Sequence, residues 1–285
     1  MKVSLSMWSV HRYWYEGQWD TVRFIEFAAS AGAQGVELLS CFWRDKEKEI
    51  PLIERALQAH GLPVACFCAC NNFVTEDAQA RRDQVKEVTD AVDAAVRFGA
   101  KVVRVFSGDS NGRLSYETAL QHIVDGLKAS ARYAEENGVV LCLENHGLFA
   151  GRSGQVLDVI RRVGSDALRS TFDTGNFLLV GQDPREALEE LKPYVRHVHV
   201  KDFEKLPPGE TSRGYAALTG ERYVGRIVGE GEIDLAHLLG ELHRSGYDGW
   251  LSVEFEGEEE QTLGSERSVR YTAELVGKLA QQNVG

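Results

Sequence analysis

The sequence has no apolar run approaching the roughly 20 residues needed to span a bilayer, and its first residues lack the basic segment and apolar core of a secretory signal. A cytoplasmic protein without membrane contact is expected. Basic residues are in deficit, 32 Lys and Arg against 43 Asp and Glu, for a formal net charge of −11. Non-specific nucleic-acid affinity comes from phosphate neutralisation by Lys and Arg, so no nucleic-acid partner is expected. Cysteines number five, an odd count without secretory context, and read as reduced thiols rather than a disulfide framework. Cys66, Cys68 and Cys70 alternate along one predicted strand, and C-x-C-x-C is not a zinc-knuckle spacing, so they are assigned to core packing. No Gly-x-Gly-x-x-Gly follows the first strand, which removes the main support for a dinucleotide-binding open sheet. Neither a low-complexity linker nor an internal repeat divides the chain, and residues 1–285 read as one domain.

What the sequence does contain is alternation. Strand patterns at 3–8, 35–39, 63–70, 101–106, 139–144, 168–173, 195–201 and 250–255 are interleaved with helical patterns at 19–31, 48–60, 77–98, 115–136, 154–163, 184–191, 233–244 and 265–279. Eight such units call for a parallel sheet with right-handed crossovers, and at this length they suit a closed (β/α)8 TIM barrel of the α/β class. An aromatic loop through His11, Tyr13, Trp14 and Tyr15 follows the first strand. A long glycine-containing loop, 203–231, includes Pro207-Pro208 and has the length of a lid or of an oligomer contact; a homo-oligomer stays open.

Along residues 196–202 the period of two sends His197, His199 and Lys201 to one side and Val198 and Val200 to the other. In a barrel the polar side faces the axis. Function gathers where strands run into βα loops, and four consecutive predicted strands end there with Glu144, Asp173, His199 and Glu254. Acids clustered at a barrel mouth repel one another, and a cation resolves that conflict. Three carboxylates and an imidazole make a hard, oxygen-rich site that favours one Mn²⁺ or Mg²⁺ and admits Co²⁺, Fe²⁺ or Zn²⁺.

Cys142-Leu-Glu144-Asn, Phe172-Asp173-Thr-Gly-Asn176, His197-Val-His199-Val-Lys201-Asp202, Gly229-Glu-Gly231-Glu-Ile233-Asp and Gly246-Tyr-Asp-Gly-Trp-Leu-Ser-Val-Glu254 form an ordered set. Together they resemble the sugar phosphate isomerase/epimerase group of the xylose isomerase-like barrel superfamily, over nearly the whole chain and most densely between residues 139 and 256. The resemblance implies that Glu144, Asp173, His199 and Glu254 bind a divalent cation, and that Glu144 and Glu254 also match the acid/base pair of ketose 3-epimerases. The endonuclease IV type of repair enzyme shares the superfamily but uses a trinuclear zinc cluster with extra histidines. Here Asn176, Cys70 and Ser107 stand at the corresponding strand ends, and the chain has no basic patch.

The expected activity is that of a metal-dependent isomerase or epimerase acting on a keto-sugar or related polyol through a metal-stabilised enediolate. The alternative is a lyase of the inosose or 3-keto-sugar dehydratase type, with an endonuclease IV-like activity or a non-catalytic sugar-binding role below it. Substrate contacts are expected from Lys201, from Asn176, where several relatives have a histidine, and from Glu37 and Arg104, for which a buried ion pair is the competing account. His146, Trp8, His11 and Trp14 are expected to wall the pocket. His197, one step deeper than His199, is either a partner of the metal site or a satisfied interior histidine. No glycine-rich phosphate cradle follows strands seven and eight, so the expected substrate is a neutral sugar, keto-sugar or cyclitol.

Overall fold

The computed structural model describes residues 1–109, 112–211 and 213–282; residue 212 of the expected 203–231 loop, and residues 110, 111 and 283–285 of the expected 1–285 domain, lie outside them. Strands β1 (Lys2–Ser6), β2 (Gly35–Leu39), β3 (Val64–Cys68), β4 (Val102–Val105), β5 (Val140–Glu144), β6 (Leu168–Asp173), β7 (Val195–Val200) and, after three short strands described below, β11 (Trp250–Val253) close into a barrel in the order β1-β11-β7-β6-β5-β4-β3-β2. Every pairing in the barrel is parallel. Around it run α1 (His11–Tyr15), α2 (Thr21–Ser30), α3 (Lys46–His60), α4 (Ala78–Phe98), α5 (Tyr116–Glu136), α6 (Ser153–Val163), α7 (Asn176–Leu179), α8 (Pro184–Leu191), α9 (Leu235–Arg244) and α10 (Gln261–Gln282). None of the described helices is long and apolar enough to cross a membrane.

The connections follow from local chemistry. Asp20, Asp45, Asp77, Ser115 and Asp234 precede α2, α3, α4, α5 and α9, and each side chain accepts a first-turn backbone N–H. Such a cap contributes about 1 kcal/mol and fixes where the loop becomes helix. Along each strand alternate side chains face the helices or the axis. Val36, Leu38, Val103, Val105, Leu141, Leu143, Val198 and Val200 are buried in the apolar layer. The axis is polar: Ser4 Oγ and Ser252 Oγ are 2.6 Å apart, and Glu37 reaches across to His197.

Several boundaries differ from expectation. β1 ends at Ser6 because that side chain accepts the Trp8 N–H and starts a 3₁₀ turn, Met7–Val10. The anticipated aromatic loop is helix α1, whose Trp14 and Tyr15 rings pack on Phe42. β3 stops at Cys68, so Cys70 leaves the strand. The expected 203–231 loop holds an antiparallel sheet of β8 (Asp202–Lys205), β9 (Tyr215–Ala216) and β10 (Arg222–Arg226), ordered β8-β10-β9. Its return to the barrel is pinned by the Asp202 carboxylate, which accepts the N–H groups of Gly229, Gly231 and Ile233. A Cβ at Gly231 would lie 2.2 Å from Asp202 Oδ1, so this approach requires glycine.

Candidate metal centre and substrate cavity

The closed barrel delivers Glu144, Asp173, His199 and Glu254 from β5, from β6, from β7 and from the residue after β11 to one point. One ligating atom from each lies within 4.8 Å of all the others. His199 Nδ1 is 3.5 Å from Glu144 Oε2, 3.5 Å from Glu254 Oε1 and 3.9 Å from Asp173 Oδ2. All four side chains are buried.

Three of the four candidate ligands are held from behind. Asp173 Oδ1 accepts the backbone N–H of Gly175 and of Asn176, which aims Oδ2 inward without a hydrogen-bond partner. Asn145 bonds the Asp173 backbone in both directions, Oδ1 accepting at 2.7 Å and Nδ2 donating at 3.0 Å. Asn176 Nδ2 donates to Glu144 Oε1 at 3.0 Å, and Arg104 Nε stands 3.1 Å from Glu144 Oε2. Glu37 Oε2 lies 3.1 Å from His199 Nε2 and 2.6 Å from His197 Nε2. The carboxylate therefore keeps the proton of His199 on Nε2 and presents Nδ1 to the other three ligands.

The charges show what the site accommodates. Burial would strip the proton from His199, but Glu254, Glu37 and Glu144 outweigh it and push the imidazole well above its usual range. Burial pushes Glu254 up to about 7 despite His199 and Lys201. The same burial acts on Glu144, where His199 and Arg104 prevail and hold the carboxyl well below the usual range. Asp173 is raised by burial against the pull of Lys201. Converging oxygens, with Asp173 Oδ2 and His199 Nδ1 making no hydrogen bond, fit a divalent cation with open positions. A cation there would neutralise the three carboxylates that His199, Lys201 and Arg104 otherwise balance.

Beside the tetrad opens a cavity of about 230 Å³, lined by Trp8, Leu39, Cys70, Arg104, Phe106, Glu144, His146, Lys201, Glu254 and Glu256. Lys201, just past β7, is buried, with Nζ 3.3 Å from Asp173 Oδ2, 3.1 Å from Glu254 Oε2 and 3.4 Å from Glu256 Oε1. Trp8 Nε1 donates to Glu256 Oε1 at 2.6 Å. Phe106 packs between Arg104, 3.7 Å from its ring centre, and His146, 4.8 Å away. From the small sheet, Tyr215 reaches toward the same rim; burial first, then the Glu256 carboxylate, pushes its phenol up to about 12.

Of the expected substrate-contacting residues, Lys201, Arg104, His146 and Trp8 line this cavity. The remaining four do not. Glu37 and His197 are fully buried beneath the tetrad, paired with one another. Asn176 is turned onto Glu144. His11 stacks behind Trp8, ring centres 4.5 Å apart, with Nδ1 2.6 Å from Trp8 O. Trp14 is likewise absent from the lining and packs on Phe42. Cys70, assigned from the sequence to core packing, lines the cavity, whereas Cys66 and Cys68 are interior. Sequence reasoning passed over Asn145 and Glu256. The second had a readable signal, since Glu254 and Glu256 are two residues apart and share a face; the first had only its place after Glu144.

A closed eight-stranded parallel barrel with a carboxylate-rich tetrad at the C-terminal ends of its strands defines a TIM-barrel protein with a candidate metal centre. The chain belongs to the xylose isomerase-like TIM barrel family, which it matches over residues 25–275. It is 25% identical over 243 residues to an inosose dehydratase of Clostridium perfringens, with 80% of each chain covered. Among solved structures it superposes on a D-tagatose 3-epimerase-like protein with a TM-score of 0.79 at 20% identity, covering 99% of both chains. An IolI protein with a bound zinc atom gives 0.75 at 17% identity, again over 99% of both.

Proposed function

We propose that the protein is a divalent-metal-dependent isomerase or epimerase of a keto-sugar or cyclitol. The observation that carries this reading is the tetrad itself, four buried side chains whose donor atoms converge, with Asp173 Oδ2 and His199 Nδ1 making no hydrogen bond, beside a cavity of about 230 Å³. A cation held by Glu144, Asp173, His199 and Glu254 would supply Lewis acidity to a hydroxy-ketone and so would acidify the hydroxyl-bearing carbon next to the carbonyl. Glu144 Oε2 and Glu254 Oε1 each lie 3.5 Å from His199 Nδ1, and both residues line the cavity. Glu144, kept ionised beside Arg104, removes the proton, and Glu254, whose Oε2 lies 3.1 Å from the Lys201 ammonium, returns it. Lys201 offers a hydrogen bond to a developing oxyanion, and Trp8, Phe106 and His146 exclude water from that side. The proposed ion is Mn²⁺ or Mg²⁺ on the strength of three oxygen ligands; the zinc in the IolI neighbour supports a wider choice.

A second reading rests on a specific finding, the inosose dehydratase similarity over 80% of each chain. The same proton abstraction followed by loss of a β-hydroxyl gives a dehydratase, with Lys201 or protonated Glu254 as donor to the departing oxygen. Incubating the Mn²⁺-loaded protein in deuterated water with a panel of ketoses and keto-inositols separates the two. Deuterium at carbon with no loss of water supports the isomerase or epimerase. A product lighter by one water establishes the lyase, and no exchange with any member sinks both.

A further inference from the structure

Beneath the tetrad the barrel axis gathers a second group of donor atoms. Between Val36 and Glu37 the pairing of β2 with β3 shifts by one residue, so Val36 stands opposite Val64 but Glu37 stands opposite Cys66. An unshifted register would have set Glu37 against Ala65. Cys66 and Cys68 are two positions apart and share one side of β3, while Phe67 between them points into the helix layer, its ring centre 6.3 Å from that of Phe98. One ligating atom from each of Glu37, Cys66 and Cys68 lies within 4.8 Å of the other two, and all three residues are fully buried. Glu37 Oε2 is engaged by His197 and His199, but the equally enclosed Oε1 makes no hydrogen bond. A buried carboxylate oxygen without a donor is costly, and a cation held between it and the thiols removes that cost.

We propose that Glu37, Cys66 and Cys68 form a second cation site, distinct from the tetrad, that takes a thiophilic divalent ion, Zn²⁺ in particular. The donor set decides the class of ion. Two sulfurs and one carboxylate oxygen favour zinc, whereas the three carboxylates and one imidazole of the tetrad suit Mn²⁺ or Mg²⁺ as well, so manganese fills the upper site and zinc fills both. Zinc–sulfur bonds of about 2.3 Å at the tetrahedral angle hold two sulfurs about 3.8 Å apart. The present spacing, 4.8 Å at most, closes onto an ion with side-chain movements of about 1 Å or less. Zinc binds both sulfurs as thiolates, and the two thiol protons leave to solvent. Cys66 then gives up only a long contact, 3.7 Å from Sγ to Phe67 O. The bound ion would also pin the carboxylate whose other oxygen orients the His199 ring.

The test uses the reduced full-length protein carrying C41S and C70S, in which Cys66, Cys68 and Cys142 are the remaining thiols. It is stripped with chelator, loaded with Zn²⁺, and read by X-ray absorption at the zinc edge together with metal content. The expected result is a zinc–sulfur path of about 2.3 Å that survives C142A and is lost when C66A and C68A are introduced together, with zinc content falling by one ion per chain. A zinc shell of nitrogen and oxygen alone in the C41S/C70S protein, a sulfur path lost in C142A, or one that persists without Cys66 and Cys68 would overturn the proposal. The first two outcomes need no change at Cys66 or Cys68, so the test holds even where their removal unfolds the chain. Failure of the tetrad to bind would remove only the ion without sulfur, so the two sites are judged separately and neither readout depends on the reaction performed.

Discussion

The two halves of the barrel mouth carry different chemistry. β5, β6, β7 and the residue after β11 each bring an ionisable candidate ligand to the tetrad, whereas β1 to β4 and the turns after them bring Ser6, which donates to Glu254, and Leu39, Cys70 and Arg104 on the cavity wall. The one acid among the inward residues of β1 to β4, Glu37, does not face the cavity; it crosses the axis to orient His197 and His199. The candidate ligands are thus segregated by strand, while the cavity wall draws on both halves, Glu144, His146, Lys201, Glu254 and Glu256 among its residues.

That segregation can be broken from the ligand half first. Glu144→Gln and Glu254→Gln are each expected to lower turnover by about 10³-fold or more while the circular dichroism spectrum stays that of the parent; normal turnover in both variants would remove them from the chemistry. Next in size is Glu37→Gln, which leaves the tetrad intact but loosens the His199 ring. A 10–100-fold loss of Mn²⁺ affinity is expected by calorimetric titration, the range typical when such an outer partner of a ligating histidine is removed. An unchanged affinity would reduce Glu37 to interior packing.

Smaller again is the effect of charge balance. Lys201→Met leaves Asp173, Glu254 and Glu256 without their buried ammonium, at a cost of about 3 kcal/mol or more to the metal-free protein. Bound Mn²⁺ should restore a larger part of the melting temperature in this variant than in the parent. Equal restoration would mean that the lysine and the ion do not compensate the same carboxylates.

pH provides a gentler probe. Glu254 is raised to about 7 in the protein without an ion, above its unfolded value, so the folded state holds the extra proton between those two pH values. The sign is therefore that folding stability without metal falls as pH rises through this window, while metal affinity rises because the ion displaces that proton. Titrations from pH 5.5 to 8 should show apparent Mn²⁺ affinity climbing by at least about tenfold per pH unit, because the ion displaces the Glu254 proton and that of the His199 imidazolium. A flat profile would show that Glu254 enters the site already ionised. On the other half, Trp8→Phe removes the bond to Glu256 and part of the ring stacked on His11, and KM is expected to rise by about fivefold or more with Mn²⁺ affinity unchanged, one hydrogen bond alone contributing roughly 1 kcal/mol.

The difference between the halves also explains what could be read from the sequence. The alternation of eight strands and helices, and the acid or histidine at each of four strand ends, are local patterns, and the barrel follows from them with the tetrad in place. Glu37 was placed at the mouth because a strand position gives depth only to within a residue or two; its partners lie on β7, some 160 positions away, and no local pattern encodes that crossing. The small sheet was hidden by Pro207-Pro208 and by glycines that read as loop, although Asp202–Lys205 and Arg222–Arg226 alternate as short strands do. Asp202, recognised as part of a motif, acquires a physical role only once Gly229, Gly231 and Ile233 fold back onto it.

The central claim is that the four converging side chains hold one divalent cation. Calorimetric titration of Mn²⁺ into chelator-stripped protein, beside the Asp173→Asn variant under the same conditions, tests it directly. One ion per chain in the parent, with binding lost or weakened by at least two orders of magnitude in the variant, is the predicted result. No saturable binding to the parent, or equal binding to both, would contradict the account.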